Sequence, residues 1–598
     1  MIGIVAHMKT SHFCRRACLA AAALWIVVLL PVPVLAADCA RELTLPSGFC
    51  ATIFADDLGH ARDLAVTADG IVYVNTWSSN YYPPGSTPSA GFLVALKDSK
   101  GGGQADLKQR FGESPAAGGH GGTGIALFEG ALYAEIDDRI VRYALKPGEL
   151  VPSSPAQTVV SGLPLGGDHP MHPFLIDADG SLYVDIGSAT NACQSRNRTP
   201  RSPGITPCVE LQTRAGVWRY DARRTNQKFS PAERYSTGLR NAEGMAVDPA
   251  SHAIIVTQHG RDQLHNNWPA LYPPEQEATL PAEQIVRLQS GGDYGWPECY
   301  FDPAQRKLVL APEYGGDGGK AVGPCADKLQ PVAYYPAHWA PNALLAYAAG
   351  PFPARYHSGL FIAFHGSWDR APYAQGGYNV VFQPLANGQA NGPCEIFADG
   401  FAGPTKDPEH ARQRPSGLAL GADGAMYVSD DVHGRIYRIT YAPGDRGDAG
   451  GGAAPVGITP CPSADAPAGP IVALRSKPPE GTHPDAGAAA LPVPAGATRA
   501  QVALGDRIYH GAVGGAPCTG CHGSDAAGSP LGPSLKTHAW LWSDGSLEGI
   551  RRTITDGVAA PKQYRSPMPP MGGAQLSPEQ VSAVAAYVWA LSHAAGDK

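Results

Sequence analysis

A chain of 598 residues exceeds what one hydrophobic core organises, so at least two domains are expected. Its 43% hydrophobic and 17% charged residues are those of a globular protein, and 72 Gly, 56 Pro and few long helical patterns favour a turn-rich β architecture. A formal net charge of −7 with no long basic stretch argues against nucleic acid as the main partner.

Residues 1–36 read as a secretory signal, which predicts a periplasmic protein. Arg15 and Arg16 form the basic region, an apolar run extends from Leu19 to Leu35, and Val34-Leu35-Ala36 is the cleavage site. Met8 is an alternative start to Met1. An uncleaved anchor is the competing reading, because the run approaches membrane-spanning length. After cleavage no transmembrane segment is expected.

Residues 37–445 carry a weak repeat. Each copy is an apolar phrase, an Asp-Gly type turn and a second apolar phrase. The clearest copies are Leu64–Val74, Phe174–Val184 and Leu418–Val428. Weaker ones lie at Ile125–Tyr133, Met245–Val256 and, in part, Leu360–Phe364. Such turns between alternating apolar residues signal hairpins, and six copies predict a six-bladed β-propeller. A β-sandwich with coincidental turns is the alternative.

The chain has 12 cysteines. Cys14 and Cys18 leave with the signal, and Cys518 and Cys521 belong to the motif described below. The other eight form an even set in an exported chain, hence a disulfide framework. Neighbour spacing suggests Cys39–Cys50, Cys193–Cys208, Cys299–Cys325 and Cys394–Cys461, though spacing does not fix connectivity. Residues 446–497 are dominated by Ala, Gly, Pro and Asp and read as a linker.

Residues 498–598 read as a small all-α domain. Cys518-Thr519-Gly520-Cys521-His522 is a haem attachment motif: two thiols add to the haem vinyl groups and the adjacent histidine reaches the iron. Its rival, a thioredoxin-like redox pair, lacks a βαβ context. Ser577-Pro578-Glu579-Gln580 is a capping box, and Val581, Val584, Ala585, Val588 and Leu591 then fall on one helical face. With Gly532-Pro533-Ser534-Leu535, residues 498–594 resemble class I cytochromes c. That resemblance implies an axial methionine in a Met-Pro context, at Met568, with Met571 the alternative.

No GxGxxG opens a βαβ unit in the large domain, so a nicotinamide or flavin site is unsupported. Six phrases in order carry a second resemblance: Asp168-His169-Pro170, Gly238–Gly244, His259-Gly260-Arg261-Asp262, Gly292–Pro297, His365–Arg370 and Arg412–Pro415. Over about residues 45–440 the chain resembles the glucose/sorbosone dehydrogenase family, six-bladed propellers that hold pyrroloquinoline quinone (PQQ) and calcium. The resemblance implies that His169 is the catalytic base and that Arg240 stabilises developing negative charge. It also implies that PQQ is held by Arg240, Asn241, Arg412 and Arg414, with Arg370 and Arg62 lining the channel. Arginine suits an anionic tricarboxylate through bidentate contacts. Calcium falls to the main-chain oxygens of Gly260 and Arg261, although arginine stands where relatives carry proline. His172 is three residues from His169, so on an extended segment only one of the two lines the site.

The implied function is PQQ-dependent oxidation of a sugar, aldehyde or alcohol, with electrons passing to the chain's own haem and then to an external quinone or cytochrome. Two other readings remain: a calcium-dependent propeller lactonase, and a carbohydrate-binding propeller with an attached electron-transfer haem. The loops Trp77–Pro84 and Asn191–Pro207 are the expected determinants of specificity. Sequence leaves the substrate, the acceptor and the oligomeric state open.

Overall fold

The computed structural model describes residues 39–77, 91–113, 121–442 except 166 and 409, 459–472 and 491–594 except 511–512, 514–517, 523–525, 527, 529–531 and 565–566. The signal over residues 1–36, and residues 78–84 of the first expected specificity loop, lie outside them.

Six sheets follow one another as blades of a propeller. Their two inner strands are Ala61–Val66 and Ile71–Thr76 in blade 1, Ile125–Phe128 and Ala131–Ile136 in blade 2, and Phe174–Ile176 and Ser181–Ile186 in blade 3. Blade 4 has Met245–Val247 and Ile254–Gln258, blade 5 Pro341–Tyr347 and Gly359–Phe364, and blade 6 Pro415–Leu420 and Met426–Asp430. Each pair is antiparallel; five coincide with a repeat, and in blade 5 the partial copy Leu360–Phe364 marks only the second strand, Pro341–Tyr347 having gone unread. The Asp-Gly turns work because Gly70, Gly180 and Gly424 sit at φ +83°, +90° and +78°, a region costly for other residues. The ring closes where Phe49–Ala55 pairs with Ile436–Tyr441, so the N-terminal strand completes blade 6.

Alternate residues of a strand face opposite neighbours, so an inner strand is buried on both faces. All six residues of Ile71–Thr76 are buried. Val72 and Val74 pack with Tyr427 and Ile436 of blade 6, whereas Ile71 and Tyr73 pack with Leu132 and Ala134 of blade 2. This explains the nearly continuous apolar phrases of the repeat.

The four expected disulfides are present. One of them corrects the linker boundary. Residues 459–472, inside the stretch read as linker, lie against blade 5: Thr459–Pro460 pairs with Glu395 and Ile396, Cys461 bonds Cys394, and Ile471 bridges Tyr373. A covalent anchor holds a segment that has no apolar periodicity to reveal it. Leu491 likewise belongs to the helical domain's core.

That domain contains the helices Arg499–Tyr509, Cys518–His522, Leu547–Asp556 and Pro578–Ser592. The Ser577/Gln580 capping box forms, and an unforeseen one forms at Thr498/Gln501. The last helix is buried beyond its expected face, at Ala583, Ala586, Tyr587 and Ala590 as well. The first helix crosses it closely: a Cβ on Gly505 would meet Ala583 O at 2.0 Å. No helix among the described residues is long and apolar enough to cross a membrane.

Candidate active site in the propeller bore

Because each inner pair is antiparallel, the residues entering the first strand and those leaving the second meet at one end of the blade. The expected propeller residues all occupy such positions. Arg62, Asp168-His169, Arg240-Asn241 and Arg412–Arg414 enter or begin first strands, while Gly260-Arg261 and His365–Arg370 leave second strands.

His169 is nine-tenths buried. Its Nδ1 lies 3.0 Å from Ser188 O, which only accepts, so Nδ1–H donates and Nε2 keeps the lone pair. Burial, then the Arg240 guanidinium, hold its pKa well below the usual imidazole value. The ring is therefore a neutral proton acceptor. Gly187 makes the site compact: a Cβ there would lie 2.5 Å from His169 Cβ and 3.0 Å from Asn241 Oδ1. That Asn241 oxygen is buried without a hydrogen-bond partner. His172 is turned away, fully buried, with Nε2–H donating to Pro164 O and its main-chain N–H to Glu135.

Arg240 donates to Asn191 Oδ1, Gly260 O and Asp262 Oδ2 at 3.0, 2.9 and 2.8 Å. Arg62 spans the bore, with Glu243 and Asp431 each 2.8 Å away and its Nε unpartnered. Asp431 also accepts from His365 Nε2 at 2.9 Å. Burial, then Arg414, push His365 down to about 4. Arg414 is half-buried, donates to the carbonyls of His365 and Gly366 and lies over the Tyr378 ring at 5.5 Å. Arg370 likewise donates to carbonyls, those of Ala278, Ala337 and Ala374, and burial lowers it to about 10. Arg412 is exposed, its side chain running past Gly403, so it is not brought into this group. Arg261 pairs with Glu313, with its Nη2 buried and unpartnered.

Two central residues escaped sequence reasoning. Arg198 donates to Asp168 and Asp262, each at 3.0 Å. Asn191 accepts from Arg240 and from Asp262 N. Both lie in the loop flagged for specificity. Their signal was that loop's length, and no repeat or phrase marked either residue.

In the helical domain His522 Nδ1 lies 2.9 Å from Pro533 O, a carbonyl that only accepts, so Nδ1–H is the donor. Cys518 and Cys521 stand outside the disulfides, and burial pushes the Cys518 thiol up to about 12. Met568 is paired through its main chain with Val558, whereas Met571 occupies a left-handed turn at φ 54°. Both side chains pack on the domain core. The two domains touch where Arg196, from the 191–207 loop, meets Asp506 of the helix Arg499–Tyr509 at 2.6 Å.

Fold and sites together define a six-bladed propeller followed by a c-type cytochrome. Over residues 43–442 the sequence matches the TrAA12-like family, to which the chain belongs, and over residues 502–592 it matches cytochrome c. It is 27% identical over 250 residues to the pyrroloquinoline quinone-dependent pyranose dehydrogenase of Coprinopsis cinerea, covering 35% of this chain and 31% of that protein. It is 41% identical over 83 residues to the cbb3-type oxidase subunit FixP of Rhizobium etli, covering 13% and 28%. The chain spans about half or less of the length of the curated relatives it matches. The propeller superposes on the holo PQQ domain of the Coprinopsis cinerea enzyme with a TM-score of 0.52 at 19% identity, covering 68% of this chain and 98% of that one. For the calcium structure of the Trichoderma reesei family AA12 protein the values are 0.53, 18%, 68% and 98%. These superpositions support the fold.

Proposed function

We propose that this protein is an exported oxidoreductase that oxidises a sugar or a related aldehyde or alcohol in the propeller, using PQQ, and delivers the electrons to its own c-type haem. The observation that carries this is the neutral, buried His169 beside Arg240 and Asn241, in the bore of a TrAA12-like propeller that shares a chain with a C-x-x-C-H helix.

The bore suits an anionic, polar ligand. Asn241 Oδ1, Arg62 Nε and Arg261 Nη2 are buried without partners, and the guanidinium groups of Arg414 and Arg370 donate to carbonyls rather than to carboxylates. Arg62, Asn241, Arg370 and Arg414 would hold PQQ, which supplies the two-electron oxidant. The same test goes against calcium on Gly260 and Arg261. Gly260 O already accepts from Arg240, and a second cation there would face that guanidinium. No step is assigned to calcium.

His169 Nε2 removes the substrate hydroxyl proton as the carbon loses hydride. Ser188 O fixes the tautomer that makes this possible, and the site's burial excludes water from the base. Asp168 and Asp262 hold Arg198, and Asp262 also holds Arg240, so these cations stay in place beside the reacting groups. In the second domain Cys518 and Cys521 would carry the haem covalently, and His522 and Met568 would bind its iron, which would accept one electron at a time.

The deciding measurement is an optical spectrum of the haem-loaded protein, supplied with PQQ, before and after adding aldoses and sorbosone. Reduction of the haem only when both PQQ and one of these compounds are present supports the proposal, and the active compound gives the substrate class. No reduction by any compound would favour a lactonase or a binding propeller.

A further inference from the structure

A second buried cluster lies on the opposite side of Asp262 from the arginines. Asp262, His338 and Asp369 are 8%, 5% and 6% exposed, and one donor atom from each lies within 4.8 Å of the others. Three separate segments bring them together. Asp262 follows the second strand of blade 4, His338 precedes the first strand of blade 5, and Asp369 follows that blade's second strand.

His338 fixes the chemistry. Its Nε2 sits 2.8 Å from Glu277 O and 3.1 Å from Leu280 O. Carbonyls only accept, so Nε2 carries a hydrogen and Nδ1 is the ring nitrogen turned toward the two carboxyl groups. Nδ1 is 3.8 Å from Asp262 Oδ1, too far for a hydrogen bond. It is thus a buried ring nitrogen facing two carboxyl groups. Glu277 and Glu283 add further negative charge nearby. Arg198 and Arg240 both bind the other oxygen, Asp262 Oδ2, which leaves Oδ1 directed at His338. The supporting contacts of a metal site are also present. Nε2–H is held by carbonyls, and Asp369 Oδ2 accepts from Gln263 N at 2.7 Å.

We propose that Asp262, His338 and Asp369 bind one divalent transition-metal ion through an imidazole nitrogen and two carboxylate oxygens. A mixed N/O set selects ions of the zinc and manganese type over calcium, which takes oxygen ligands. The site rests on no part of the dehydrogenase reading. The competing arrangement is a proton on Nδ1, which makes the cluster an imidazolium–carboxylate pair.

The test uses the full-length, haem-loaded protein, stripped with a chelator and titrated calorimetrically with zinc chloride, with calcium chloride in parallel. Expected is one equivalent of zinc bound at this site, no matching calcium event, and at least a hundred-fold loss of zinc affinity in His338→Gln. Asp369→Asn, which keeps the side-chain shape, should lose affinity similarly and decides the matter if His338→Gln does not fold. Cobalt substitution should give a visible ligand-field band in the parent and none in either variant. Absence of zinc binding, or equal affinity and stoichiometry in parent and variants, would overturn the site and leave the protonated pair.

Discussion

The propeller bore and the cytochrome core are both buried, and they are built by different physics. In the bore, buried Arg62, Arg198, Arg240 and Arg261 each face a buried carboxylate. The cytochrome core is built instead from Val502, Ile508, Ile550, Val584 and Leu591, with tight helix crossing at Gly505. One region is held by paired charges, so a single truncation leaves an unpaired ion. The other relies on covalent attachment and apolar packing, where truncation leaves a small void.

The largest expected effect separates the two domains outright. Replacing both Cys518 and Cys521 by alanine should abolish covalent haem, seen as loss of the haem-stained band on a denaturing gel, while dye reduction by the propeller persists. Next, His169→Gln should lower turnover by about 10²–10⁴-fold, the range of general-base catalysis, with PQQ affinity unchanged. The pH profile carries its own sign. A base with a depressed pKa stays unprotonated as pH falls through 6.5, so the parent's rate should remain flat there and decline only at lower pH. A midpoint at or above 6.5 would contradict the buried neutral imidazole.

A third comparison sets charge against methyl groups. Arg62→Ala strands two buried carboxylates and should cost about 3–5 kcal/mol. Ile550→Val in the cytochrome core should cost about 1 kcal/mol. Chemical denaturation, followed by far-UV circular dichroism for the propeller and by haem absorbance for the cytochrome, measures both. Equal costs would mean that Arg62 is not held as an ion pair.

What could be read in advance divides along the same line. The haem motif was legible because five contiguous residues carry it. The propeller was legible because four inner hairpins repeat a buried phrase about a glycine at positive φ, at Gly70, Gly130, Gly180 and Gly424. His169 stood out through its Asp-His-Pro phrase. Arg198 and Asn191 did not, since their roles come from long-range contacts with Asp168, Arg240 and Asp262 that no local pattern encodes. Arg412 and Arg414 look equivalent in sequence. The strand begins only at Pro415, so the two-residue period does not reach back to Arg412, and it is exposed. Residues 459–472 have linker composition, and only Cys461 hinted that they return to blade 5.

The smallest effect concerns the place where the two regions meet. Arg196 shares its loop with Arg198, and its partner Asp506 starts a path into the cytochrome's first helix through His510, 3.0 Å away. With Asp506 buried and Arg196 partly exposed, the pair is worth about 1 kcal/mol of stability, so Arg196→Glu should leave both domains folded. Its effect should fall on docking. Reversing the charge sets two acids against each other and should slow haem reduction by up to about tenfold at low salt. The defect should shrink as salt shortens the Debye length to about 3 Å near 1 M. Adding Asp506→Arg should restore the rate, and dye reduction should not change in either variant. Stopped-flow haem reduction across a salt series reads all of this. A rate indifferent to both charge and salt would show that the covalent connection between the domains is sufficient, and that the Arg196–Asp506 contact has no part in electron transfer.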